Sequence, residues 1–407
     1  MRVLAAVFPQ PGHFHAFVGV AQALERAGHE VVFFCPEDLG PRLKRAGLRA
    51  PCFSPPGLTR EAKPTALRSA DLGVRLRRPN WARRFYAQAL LGPVAVQVEA
   101  LRAVAREVKP DVLCTDPLLY AGAIVAEAER IPWAGIATTL ASLSPEGFRC
   151  VYHDCHAQLS AERDALFRSY GVDARFKCGD AVSPWLNTVF ATEGFAPRAQ
   201  ADNAFSHYVG PSSPLGPRGD EPDFPWSRLD PRLPLVYVSF GSQVSPPAEV
   251  LASLARAFGP GEAQVAVSLN DWADDPLAAS FPDHVIAVRY APQLRLIERA
   301  SVIVTHGGLT GVTEALQRGK PMLVIPIAAE QPLQAHLVER AGVGRKMEVE
   351  DVTAEGCRSE ILELMGSPAV RSKAENVRLS YSQAGGAARI CGLIAELARS
   401  RRPMAVG

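Results

Sequence analysis

The run "SVIVTHGGLTGVTEAL", Ser301 to Leu316, changes texture at its midpoint. A β-branched stretch ends at Thr305, His306 and two glycines follow, and a short helical pattern continues to "RGKP". A strand that hands over to a helix through glycines is the βα unit of a parallel sheet. The glycines admit two readings. They make a tight turn, or their bare N–H groups, at a helix N-terminus, hold an anion.

Working outward, the same alternation fills the chain. Strands are expected at 3–8, 30–35, 111–115 and 133–138, with helices over 14–27 and 117–130. After a change of texture, further strands are expected at 235–242, 263–269, 284–290, 301–305 and 322–326. These are continuous apolar runs rather than alternating ones, as suits a parallel sheet covered on both faces. Between the halves, residues 210–234 hold seven prolines and three glycines, the composition of a linker. The fold class is therefore α/β, with two doubly wound Rossmann-like domains facing a cleft. Their expected bounds are an N-terminal domain over 1–209, a linker over 210–234, a C-terminal domain over 235–380 and a final helical segment over 381–407. Ligands of such sheets bind beyond the carboxyl ends of the strands.

Composition narrows the function. With 407 residues, two cores are expected rather than one. Forty-four basic and 42 acidic residues leave a net charge of +2, which argues against a nucleic-acid partner. The eight cysteines form no CxxC pair, so reduced thiols and a cytoplasmic location are expected. No segment approaches the ~20 apolar residues of a membrane span, although a peripheral membrane contact stays open.

Known phosphate loops do not account for the Gly307–Gly308 turn. Gly319-Lys320 is followed by proline, which breaks the Walker pattern, and GxGxxG is absent. What is left is a small-residue turn with His306 and Thr310 as side-chain donors, and Glu314 one helical turn in. A carboxylate there suits ribose hydroxyls, or it is simply a first-turn glutamate.

The span "RYAPQLRLIERASVIVTHGGLTGVTEALQRGKPMLVIPIAAEQ", residues 289–331, closely resembles the donor-nucleotide signature of the UDP-dependent glycosyltransferases with the two-domain GT-B fold. The pattern is nearer to bacterial natural-product, macrolide and carotenoid glucosyltransferases than to plant ones. The resemblance implies that Tyr290, where many relatives carry tryptophan, stacks on uracil, and that Gln293 reaches the ribose or base. His306, Gly308 and Thr310 are implied to bind the diphosphate, Glu314 the ribose hydroxyls, and Glu330 and Gln331 the sugar. Glu330 replaces the commoner aspartate, and Gly311 replaces a serine or threonine. Ser242, in "SFGS", is implied to add a hydroxyl near the phosphates. The donor expected is UDP-glucose, with a dTDP-sugar as the other option.

Transfer to a hydroxyl needs a base. His13, in "PQPGHFH" just past the first strand, has the right acidity, and Asp116 ends the strand "DVLCT" on the same sheet edge. The family places its base after a glycine, which favours His13 over His15. "HFH" lacks a third ligand at useful spacing, so no metal is expected. The expected reaction is an inverting displacement onto a hydroxyl of a small, largely apolar acceptor. Trp81, Phe85, Tyr86, Phe148, Tyr152, Trp185 and Phe190 are scattered through the acceptor half, most of them expected as core. The arginine-rich stretch 68–85 reads as a solvated face or as a dock for an anionic acceptor or lipid surface. A UDP-sugar epimerase on the same fold and a non-catalytic auxiliary protein are the alternative functions.

Overall fold

The computed structural model describes residues 1–55, 69–198, 204–219 and 221–406. The first sheet is built from β1 (Arg2–Ala6), β2 (Glu30–Phe34), β3 (Cys52–Phe53), β4 (Val112–Thr115) and β5 (Trp133–Ile136). A small hairpin, β6 (Arg175–Lys177) and β7 (Asp180–Val182), stands apart from the sheet and precedes β8 (Leu186–Val189) and β9 (Ser206–Tyr208). The strand order is β3-β2-β1-β4-β5-β8-β9, and every pairing is parallel. The second sheet contains β10 (Leu235–Ser239), β11 (Gln264–Ser268), β12 (Ile286–Val288), β13 (Val302–Thr305), β14 (Met322–Val324) and β15 (Gly344–Lys346). Its order is β12-β11-β10-β13-β14-β15, again parallel throughout.

Central strands are buried along nearly their whole length, which is why they read as unbroken apolar runs. Strands β8 "LNTV" and β9 "SHY" do not read as strands, because polar residues interrupt them.

Each sheet reverses its strand order at one place. In the first it falls between β1 and β4, and in the second between β10 and β13. A crevice opens where neighbouring connections leave in opposite directions, so ligand sites concentrate there. His13 follows β1 and Asp116 follows β4; Ser242 follows β10 and His306 follows β13. Four of the residues singled out in the sequence thus stand at the two reversal points.

Two further features tie the halves together. The helix Gly386–Ser400 packs on Pro11–Arg26, the helix that carries His13. The proline-rich 210–234 segment is strapped down on both sides. Leu215 N–H donates to Gln22 Oε1 at 2.6 Å, and Ser213 Oγ donates to Gln317 Oε1 at 2.6 Å.

Candidate active site

The helix Pro11–Arg26 starts with proline, whose fixed φ suits a first helical position, and sets His13 in its first turn. Asp116 is fixed by its own N–H, which donates to the Ala6 carbonyl at 2.9 Å across the strand reversal. The two side chains then meet: His13 Nδ1 lies 2.6 Å from Asp116 Oδ2. The other oxygen, Oδ1, accepts from Leu118 N–H at 2.9 Å and Thr138 Oγ1 at 3.1 Å. Burial disfavours a charged imidazole here, but the Asp116 carboxylate and its hydrogen bond outweigh that, with Glu330 and Asp180 adding to them, and raise the His13 pKa above 6.5. His15 also lines the cavity, yet the imidazole that meets Asp116 is that of His13.

Across the cleft, Gly308 caps the helix Leu309–Gln317, whose first N–H groups have no partner within the helix. The glycines serve the histidine as much as any anion. A Cβ on Gly308 would lie 2.5 Å from His306 Nε2, and one on Gly241 would lie 2.7 Å from Cε1. Gly307 has φ +88°, a conformation other residues rarely adopt. His306 is thereby seated in a slot of backbone. Burial pushes its pKa down to about 4, against a hydrogen bond to the Ser239 backbone, so near neutral pH the ring is uncharged. Thr310 Oγ1 approaches the Gly12 carbonyl at 3.5 Å, bringing the two loops together.

His13, His306, Gly308, Thr310, Ser242, Tyr290, Gln293, Glu330 and Gln331 all line one cavity of about 860 Å³. That volume suits a pocket for a small molecule. Tyr290 is 53% exposed at its rim, its ring free to take a stacked base. Glu330 is half-buried, and its loss of solvent raises its pKa. Gln331 is partly spent: its Oε1 accepts from Ile327 N–H at 2.8 Å and Ala328 N–H at 2.9 Å.

Residues 233–381 match the family described as "UDP-glucoronosyl and UDP-glucosyl transferase". The chain is 27% identical to the NDP-glycosyltransferase YjiC of Bacillus licheniformis over 70% of its own length and 72% of the relative's. It is 25% identical to the zeaxanthin glucosyltransferase of Pseudescherichia vulneris, covering 96% of each. The crystal structure of the glycotransferase of kitacinnamycin superimposes with a TM-score of 0.77 at 25% identity, covering 98% of both chains. The chain is a glycosyltransferase, and its residues 233–381 carry the match to the UDP-dependent family. It has the GT-B fold.

In this glycosyltransferase the sequence left several cavity residues unread. The foremost is Arg218, delivered by the linker. Its guanidinium forms a buried ion pair with Glu314, and Gln293 Nε2 donates to the other carboxylate oxygen at 2.6 Å. Gln293 Oε1 in turn faces Ser239 Oγ at 3.3 Å and Tyr237 Oη at 3.5 Å. Gln293 therefore orients Glu314 instead of reaching freely toward a base. No periodicity marks Arg218, which sits between proline and glycine in "GPRGD".

Asp180, on the β6–β7 hairpin, does not line the cavity but bonds to Thr139, which does. Burial lifts its pKa to about 7, and it accepts from Thr139 Oγ1 at 3.0 Å. Of the scattered aromatics, Phe85, Tyr86 and Tyr152 line the cavity. Phe190 is core, while Phe148 and Trp185 pack partly buried against it. Trp81 lies under the Arg75 guanidinium, 5.9 Å from its ring centre. Within the arginine-rich stretch, Arg77 pairs with Glu350 and Arg83 with Glu162, while Arg68 lies outside the described residues. Among the described residues, no helix is long and apolar enough to cross a membrane.

Proposed function

We propose that this glycosyltransferase moves a hexose, glucose in the first instance, from a UDP-sugar to a hydroxyl of a small, largely apolar natural product, with inversion at the anomeric carbon. Residues 1–209 would take the acceptor and 235–380 the nucleotide sugar, with 210–234 as linker and 381–407 closing back on the first half. The observation that carries this reading is the 2.6 Å pairing of His13 with Asp116, in a cavity whose opposite wall is the helix N-terminus at Thr310.

In the reaction, His13 Nε2 takes the proton of the acceptor hydroxyl, and that oxygen forms a bond to the anomeric carbon. The bond from that carbon to the diphosphate breaks, and its electron pair leaves on the β-phosphate oxygen. Asp116 holds the Nδ1–H tautomer and stabilises the imidazolium that results. Charge growing on the diphosphate meets His306, Thr310 and the helix N-terminus, with Ser242 beside them. Tyr290 stacks on the base, Glu314 binds ribose, and Glu330 and the Gln331 amide nitrogen hold the sugar. Names of the similar proteins support the acceptor class, since they include a zeaxanthin glucosyltransferase and the glycotransferase of kitacinnamycin.

Calorimetric titration with UDP and dTDP, followed by UDP-glucose consumption with an acceptor panel, tests the reading. Micromolar UDP binding and acceptor-dependent UDP release are expected. Tighter dTDP binding reassigns the donor to a thymidine sugar. Absence of binding to either at millimolar concentration refutes the transferase reading.

A further inference from the structure

The donor half of the cavity takes part of its wall from the linker. Arg218 and Gln293 both border the cavity, and both hold Glu314. The guanidinium donates to Oε1, and Gln293 Nε2 donates to Oε2 at 2.6 Å. A carboxylate has about four acceptor positions, two on each oxygen. Arg218 and Gln293 fill one on each and leave one on each, the number that a vicinal diol needs.

The backbone that delivers Arg218 is tied at four points. The Glu221 carboxylate accepts from the N–H groups of Arg218 and Gly219, each at 3.0 Å. Arg45 Nε donates to the Gly219 carbonyl at 2.9 Å, and Gln22 Nε2 donates to the Pro217 carbonyl at 2.9 Å. Gly219 has φ +86°, and a Cβ there would stand 2.7 Å from Ala46 N, so a glycine lets this turn close on the first half. Gln22 lies on the helix that carries His13, and Gln317, the linker's other partner, lies on the helix that carries Glu314. A segment that merely joins two domains needs no such anchorage; one that must place a side chain does.

We propose that Arg218 is a positioning residue that makes the donor site selective for ribonucleotides. It holds Glu314 charged and in one orientation, so that the two acceptor positions left over take the 2′- and 3′-hydroxyls of the ribose, and Gln22 in turn holds Arg218. This rests on the transferase reading above. Without the guanidinium the buried carboxylate loses its counter-charge, and one of its oxygens loses its only fixed donor among the described residues.

The test is titration of the full chain with UDP and with 2′-deoxy-UDP, which share base and diphosphate. The wild type should bind UDP about tenfold tighter, the value of one hydrogen bond to a charged group. In Arg218→Met that preference should fall to within about twofold. Gln22→Leu leaves both members of the ion pair in place and should lower the preference to about threefold. Equal losses for both nucleotides in Arg218→Met, with the preference intact, mean that Arg218 serves the fold alone, and overturn the proposal. Should Arg218→Met fail to fold, Gln22→Leu decides, and an unchanged preference there overturns it. A wild type that binds the two nucleotides alike, or the deoxynucleotide tighter, overturns it too while the transferase reading stands. Binding of neither at millimolar concentration refutes that reading, and this inference with it.

Discussion

His13 and Asp116 stand 103 residues apart in sequence and 2.6 Å apart in space. Asp116 is fully buried and His13 nearly so, with side-chain exposures of 0% and 13%. Such a pair holds one imidazole nitrogen and leaves the other for the acceptor. His13→Ala should lower the transfer rate by about 10²–10⁴ while UDP binding is unchanged, because general-base catalysis is lost and the donor side is untouched. Asp116→Asn should also lower the rate, through loss of the imidazolium's counter-charge. Transfer at the wild-type rate by His13→Ala, in a steady-state assay, would remove His13 from the mechanism.

The acidity of the same pair predicts a pH profile. A base works in its neutral form, and the His13 pKa lies above 6.5 because Asp116 favours the cation. The pH dependence of kcat/KM should therefore rise through an apparent pKa above 6.5 and then level off. In Asp116→Asn the rising limb should move to lower pH, since the negative neighbour is gone. A limb that stays in place would assign the titration to another group.

Arg218 and Glu314 form an ion pair with side-chain exposures of 5% and 9%. Removing one partner of a buried pair costs about 3–5 kcal/mol, because the other charge is left uncompensated. Arg218→Ala and Glu314→Ala should each lower the melting temperature, since each strands the other's buried charge, and both should weaken UDP binding. Thermal melts combined with UDP titrations of both single variants and the double variant measure the coupling. Additive effects would mean that the pair does not act as a unit.

Two glycines at the start of the helix Leu309–Gln317 should behave oppositely. A Cβ on Gly308 would meet His306 at 2.5 Å, whereas one on Gly311 would meet Thr305 Oγ1 at 3.5 Å, an ordinary contact. Gly308→Ala should cost at least about tenfold in UDP affinity by displacing the imidazole. Gly311→Ala should be neutral, or stabilising by up to ~1 kcal/mol through helix propensity. Gly311→Ser should retain UDP binding and, with a hydroxyl toward the phosphates, tighten it. Equal losses at both positions, read by titration, would show that neither glycine tolerates a side chain.

The sequence by itself determined the architecture. Runs such as Val302–Thr305 and Leu235–Ser239 are apolar throughout because both faces of their sheets are covered, and the βα alternation makes parallel order necessary. It also located His13, Asp116 and the His306–Thr310 loop, since each falls at the carboxyl end of a recognisable strand. Only the tertiary structure decided which groups share the cavity. Arg218 reaches Glu314 because the linker is tied down through Gln22 and Gln317, and Gly179 closes on His156 because a hairpin folds onto a helix. A linker arginine, a hairpin aspartate and a histidine within a helix leave no periodic trace. Their positions follow from long-range packing, which local spacing does not encode.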